Sequence, residues 1–141
     1  MSLLSLIVSM QFLFNLSVNN NENSLKNDGC TTAYDTLSNE TVYVYVDQMP
    51  EYPGGNQALM KYFLESFRYP EQEYFQASFI VEFVIDADGK LIAPRIKGKA
   101  ESDLTEAEKG VIKVLMNAPK WKSGTCNGKN VPVKMFLPLK F

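Results

Sequence analysis

The sequence predicts an α+β domain of two layers, in which a small antiparallel β-sheet carries two helices packed on one face. Three observations predict it: a strand, turn and strand pattern over residues 77–97, two helical patterns after Asn56 and after Thr105, and a last apolar strand at residues 131–139. Helices and sheets of this kind each have one apolar face, which they bury against each other. The order helix, hairpin, helix, strand therefore favours a small sheet covered on one side.

The hairpin has the clearest strand pattern. Residues 77–86 (ASFIVEFVID) alternate so that one set of side chains points to each face, and the apolar residues on both faces predict a central strand. Asp88 and Gly89 form a turn signal, and residues 91–97 return. Pro94 lies in this return, which predicts an edge strand or a bulge. An earlier β-rich segment, residues 42–46 (VYVYV), predicts one more short strand.

Proline and glycine mark the start of the first helix. Pro50 and Pro53 cannot donate backbone hydrogen bonds, so strand pairing should end there. Gly54 and Gly55 permit backbone angles that other residues resist. Asn56 is then the expected N-cap, and an apolar stripe follows at Leu59, Met60, Phe63, Leu64 and Phe67.

The second helix begins with a capping-box pattern at Thr105 and Glu108 and should end before Pro119. The last strand is bracketed by Pro132 and Pro138, which predicts an edge strand. We expect one core between the helices and the sheet, formed by Leu59, Phe63, Phe67, Val81, Phe83, Val111, Leu115 and Trp121.

The N-terminal region has a different composition. Residues 3–18 (LLSLIVSMQFLFNLSV) are uncharged and mostly apolar, and an Asn-rich stretch follows. The run is shorter than the about 20 residues of a membrane helix and resembles the apolar region of a signal peptide. A buried helix is the alternative. We predict a signal peptide or short membrane anchor at residues 1–18, a polar linker at residues 19–41 and a folded domain at residues 42–141.

Composition argues against several function classes. The chain has no histidine, so it lacks the commonest general base and metal ligand, and its net charge of −2 offers no basic surface for nucleic acid. Residues 86–89 (DADG) look like the start of a calcium loop, but strand residues follow where further ligands would be needed, so they predict a turn. We predict no catalytic residue, no cofactor and no metal site, and hence a non-enzymatic protein.

The two cysteines leave two interpretations open. Cys30 lies in a polar stretch and Cys126 near a turn, so they are compatible with one disulfide in an oxidising compartment or with two free thiols.

Several motifs, taken in order, resemble the C-terminal domain of TonB-type energy transducers, in the form common in Bacteroidetes-like bacteria. They are MPEYPGG, YP, FIVEFVIDADGKL, PKWKSG, NGK and VPVKMFLPLKF, and they extend over about residues 42–141. The resemblance implies a periplasmic domain that captures an extended segment of an outer-membrane TonB-dependent receptor, or of another envelope protein, in energy-dependent transport.

In that family the segment is added to the edge of the sheet, and main-chain hydrogen bonds supply the affinity. The matching partner-binding residues in this chain are Val133, Lys134, Met135, Phe136 and Leu137. Residues 42–46 are an alternative occupant of this edge, either within one chain or by exchange in a homodimer. The alternative function is a structural or regulatory envelope module without energy coupling.

The apolar N-terminal run predicts export, with contact to the membrane only through this segment. Fractionation of the native cells should find the protein in the periplasm or attached to the inner membrane. A native chain recovered in the cytosol would contradict the prediction.

Overall fold

The computed structural model describes residues 29–68 and 78–140. The elements, in chain order, are β1 Thr31–Asp35, β2 Glu40–Tyr45, α1 Gly55–Ser66, β3 Ser78–Ile85, β4 Leu91–Ile96, a 3-10 turn Glu101–Asp103, α2 Glu106–Met116, β5 Gly124–Cys126, β6 Lys129–Val131 and β7 Val133–Lys140.

The main sheet has five strands in the order β1-β2-β7-β3-β4, and β5 and β6 form a separate two-stranded sheet. The α+β class is confirmed. The sheet is mixed rather than antiparallel, because β2 runs parallel to β7. β3 lies inside the sheet and β4 at its edge, as predicted. The pairing of β3 with β4 has a register shift between Glu82 and Val84, and Ala93 next to Pro94 has a φ of 51°.

The core lies between the sheet and the two helices. Val81, Phe83 and Ile85 of β3 are buried against Leu59 and Phe63 of α1 and Val111 and Leu115 of α2, so both helices pack on the same face. All the predicted core residues belong to this cluster, with Phe67 only partly buried. The α1 stripe is narrower than predicted, since Met60 is 45% and Leu64 73% exposed.

The start of α1 differs by two residues from the prediction. Gly54 and Gly55 have φ angles of 87° and 84°, which confirms their predicted conformational role. The N–H of Gly55 donates to the carbonyl of Tyr52 at 2.7 Å, so this turn leads directly into the helix and Gly54 is the N-cap. Asn56 already lies in the first helical turn, and its predicted capping role is wrong.

The other predicted cap is confirmed. Glu108 N–H donates to Thr105 Oγ1 at 3.2 Å, and Thr105 N–H donates to Glu108 Oε1 at 3.1 Å. Both bonds satisfy donors that a helix N-terminus leaves free.

Two glycines allow close approaches in the core. A Cβ at position 89 would overlap with the backbone carbonyl of Trp121, whose N–H donates to the carbonyl of Gly89 at 2.8 Å. A Cβ at position 110 would lie 3.2 Å from the ring of Phe67, so the glycine within α2 lets that ring pack against the helix. Trp121 is buried against Tyr52 and Phe83, as expected for a residue that covers one end of the core.

Residues 31–41 were assigned by composition to the polar linker, and the structure corrects this assignment. They form β1, its turn and the start of β2, which pair as an antiparallel hairpin. Their polar side chains give a linker-like composition, but Asp35 is buried at 2% exposure. Residues 1–18 lie outside the described residues. Among the described helices, none has both the length and the apolarity needed to cross a membrane.

Phe83 is a suitable position for testing the predicted core, because the register of β3 buries its ring to 1% exposure. Phe83→Ala should lower the free energy of unfolding by about 3–5 kcal/mol, as expected for a fully buried ring. Phe136→Ala, at a half-exposed ring, is the control and should cost less than about 1 kcal/mol. Urea denaturation measures both, and equal losses would contradict the core assignment.

Candidate functional site

The predicted binding strand, β7, is not an edge strand in the strand order. It pairs with β3 over eight residue pairs, from Ser78 with Lys140 to Ile85 with Val133. On its other side it meets β2, but only through the pair Tyr43 with Val133. Tyr43 N–H donates to the carbonyl of Pro132 at 2.8 Å. The edge prediction is therefore corrected: β2 covers the first residue of the strand.

Beyond Val133 the outer side of β7 has no strand partner in residues 29–68 and 78–140. Both prolines are consistent with this arrangement. Pro132 precedes the strand and contributes only a carbonyl, and Pro138 lies in the stretch that no described strand pairs on the outer side.

The direction of the backbone groups follows from hydrogen bonds on either side. Lys97 N–H donates to the carbonyl of Ile80 at 2.9 Å, so the backbone groups of Ile80 face β4. Those of the next residue, Val81, then face β7 and its partner Leu137, since successive residues of a strand alternate. The outward groups of β7 therefore belong to the even-numbered residues, in agreement with the bond from Tyr43 to Pro132.

This alternation divides the five predicted site residues. Met135 and Leu137 direct their N–H groups to β3, and Val133 is the residue bridged by β2. Lys134 and Phe136 direct theirs away from β3. The unpaired outer edge thus offers the N–H of Phe136 and the carbonyls of Phe136 and Pro138, while Pro138 has no N–H to offer.

The side chains of β7 alternate as well. Val133 and Leu139 are buried, and Met135 and Leu137 pack against the core. Phe136 lies on the opposite face of the sheet, here called the helix-free face because neither of the two described helices packs on it, and is 49% exposed. The ammonium groups of Lys97 and Lys134 lie 5.7 and 5.8 Å from the centre of its ring, within range of a cation–π attraction. An exposed aromatic ring therefore stands beside the unpaired edge.

A largely buried group of charges lies on the same face. Arg95 Nη1 donates to Asp35 Oδ2 at 3.0 Å, Arg95 Nη2 donates to Asp35 Oδ1, and Arg95 Nε donates to Glu82 Oε2 at 3.1 Å. Lys134 Nζ lies 3.5 Å from Asp35 Oδ1. Asp35 belongs to β1 and Arg95 to β4, the two outermost strands, so the hairpin of β1 and β2 folds across the helix-free face.

The environment of Asp35 strongly favours its charged form. The hydrogen bonds from Arg95 hold the pKa of Asp35 well below its usual range, against the opposing effect of burial. The same bonds raise the pKa of Arg95. The carboxyl of Asp35 is 2% exposed, so removal of Arg95 would leave a buried charge with Lys134 as its remaining cationic neighbour.

The cysteines form a disulfide between Cys30 and Cys126, which resolves the two interpretations left open by the sequence. Asp47 lies close enough to both sulfurs to complete a group of three potential metal ligands. The sulfurs are bonded to each other, however, and Asp47 accepts the N–H of Asn127 at 2.8 Å. This oxidised group is therefore a covalent link rather than a metal centre.

Sequence reasoning missed the charges around Asp35. They come from four different strands, and no spacing along the chain relates them. The ion pair between Asp35 and Arg95, which are 60 residues apart, is visible only in the folded protein.

Comparison of the chain with models of known families, with curated proteins and with solved structures gives no match.

Asp35→Asn should lower the free energy of unfolding at pH 7 by about 2–4 kcal/mol, because it removes one partner of a buried ion pair. The pKa of Asp35 is lowered by folding, so its contribution is complete above the unfolded-chain pKa of about 3.9 and is lost as the pH falls below it. The difference between wild type and variant should therefore shrink at pH 3.

Urea midpoints at pH 7 and pH 3 measure this effect. Asp103→Asn, at an exposed aspartate, is the matched control and should change stability little at either pH. A deficit of Asp35→Asn that stays constant between the two pH values would contradict the assignment.

Proposed function

We propose that this protein is an exported, non-enzymatic interaction domain of the TonB C-terminal type, which binds an extended segment of an outer-membrane receptor or another envelope protein by strand addition. The outer edge of β7 beyond Val133 carries the proposal, because it has no strand partner among the described residues. The motif resemblance supports the same strand.

The geometry favours a short added strand. The N–H of Phe136 and the carbonyls of Phe136 and Pro138 can pair with the main chain of a partner, and such bonds tolerate many partner sequences. Phe136 offers an apolar surface beside this ladder, which adds side-chain selectivity. The parallel bridge from Tyr43 supports the proposal as well, since it shows that this edge already accepts one strand of the chain itself.

The proposal gives each residue of β7 a definite behaviour. When a synthetic peptide copied from the extended N-terminal segment of a candidate outer-membrane receptor binds, the amide of Phe136 should gain protection from hydrogen exchange. The amides of Met135 and Leu137 already face β3 and should change little. NMR-detected exchange with and without the peptide measures these amides separately. A bound peptide that protects none of the outward amides would contradict the proposed site.

Two substitutions at one position separate the backbone from the ring. Phe136→Pro removes the outward N–H and the ring, and should abolish peptide binding. Phe136→Ala keeps the N–H, and should weaken binding by only about 1–2 kcal/mol through lost apolar contact. Thermal denaturation checks that both variants remain folded. Equal affinities for the two variants would contradict a main-chain mode of binding.

A further inference from the structure

The hairpin formed by residues 31–45, here called the cover hairpin, contacts the start of the binding strand at Val133 and Lys134. It is held at three places. Cys30, next to its first strand, is bonded to Cys126 of β5. Asp35, at its turn, is paired with Arg95 and Lys134. Tyr43 donates one hydrogen bond to Pro132.

Apolar packing holds the cover hairpin only weakly. Four of its large apolar side chains are substantially exposed: Tyr34, Leu37, Val44 and Tyr45. Val42 is fully buried, and Tyr43, which is partly buried, packs against the cluster of Val46, Cys126, Val131 and Val133. A segment with few buried apolar contacts opens more easily than the core that carries it. The disulfide and the ion pairs of Asp35 therefore contribute much of the stability of the closed hairpin.

The residues that directly follow the hairpin, 46–48, are firmly held by the domain. Val46 is buried with Cys126, Val131 and Val133 in a second small cluster. Gln48 and Thr125 then exchange two backbone hydrogen bonds, of 3.2 and 2.9 Å. A detached hairpin would hence remain linked to the domain and pivot between Tyr45 and Val46.

We propose that the Cys30–Cys126 disulfide is a redox latch on the cover hairpin, and that its reduction lets the hairpin leave the helix-free face and lengthens the free edge of β7. The expected effect on partner binding rests on the proposed function, whereas the release of the hairpin on reduction does not. When the bridge to Tyr43 opens, the carbonyl of Pro132 and the outward groups of Lys134 join those of Phe136 and Pro138. A partner strand can then pair along the whole of β7.

The chemical step is thiol–disulfide exchange with an exogenous dithiol reductant. A thiolate of the reductant attacks one sulfur of the bridge, and the other sulfur leaves and takes up a proton. The second thiol of the reductant then resolves the mixed disulfide. The bridge gains two electrons and two protons to give two cysteine thiols, and the dithiol becomes a disulfide. Cys30 is partly exposed and Cys126 is buried, so Cys30 is the accessible sulfur.

The test compares hydrogen exchange of the full chain before and after reduction with dithiothreitol, without any peptide. Amides of residues 31–45 should exchange at least about tenfold faster in the reduced protein, because a closed loop no longer restrains the opened hairpin. Amides of β3 should keep their protection. The Cys30→Ser, Cys126→Ser double variant should reproduce the reduced protein, and Asp35→Asn should add to the effect in either redox state.

The outcomes separate the latch from the proposed function. Unchanged exchange of the cover hairpin on reduction would overturn the latch. So would an equal loss of protection in β3, because the disulfide would then hold the whole domain rather than the hairpin. The receptor-derived peptide, added afterwards, should bind the reduced protein at least about fivefold more tightly, since the edge is longer. A released hairpin with no peptide protection at Phe136 would leave the latch standing and overturn strand addition at β7.

Discussion

The eight-residue pairing of β3 with β7 sets the direction of the side chains and backbone amides that form the core and the candidate site. Because strands alternate, the pairing directs Val81, Phe83 and Leu139 to the helices and Glu82, Lys134 and Phe136 to the opposite face. It also decides which amides of β7 are used inside the sheet and which point outward. A shift of one residue would exchange the two faces, burying the charges and exposing the core. The register therefore determines the core and the candidate site together.

The helix-free face carries two different features. One part is a largely buried group of charges, in which Asp35 is compensated by Arg95 and Lys134. The other is an exposed aromatic ring beside unpaired main-chain groups. The charges tie the hairpin to the sheet without covering Phe136, which lies opposite Glu82 in the register and is still 49% exposed. The buried charges and the exposed ring are therefore neighbours on one strand.

The free edge of β7 is also limited. β2 covers its beginning, and Pro138 removes a donor from the remaining part. Short edges and edge prolines are common means of avoiding unwanted pairing between copies of a protein. A binding strand needs the opposite property, namely free backbone groups. The proposed latch would meet both requirements, because the hairpin protects the edge while it is closed and frees its backbone groups when it opens.

The sequence alone determined the local features of this protein. The alternation of β3, the turn at Asp88 and Gly89, the glycines before α1 and the capping box at Thr105 each depend on neighbouring residues, so their patterns are readable along the chain. Pro94 likewise predicted that β4 is an edge strand or has a bulge. Only the tertiary structure decided the strand order, the hairpin in the polar segment, the pairing of Cys30 with Cys126 and the outward direction of the Phe136 amide. Each of these depends on which distant segments meet, and neither composition nor periodicity specifies such a pairing.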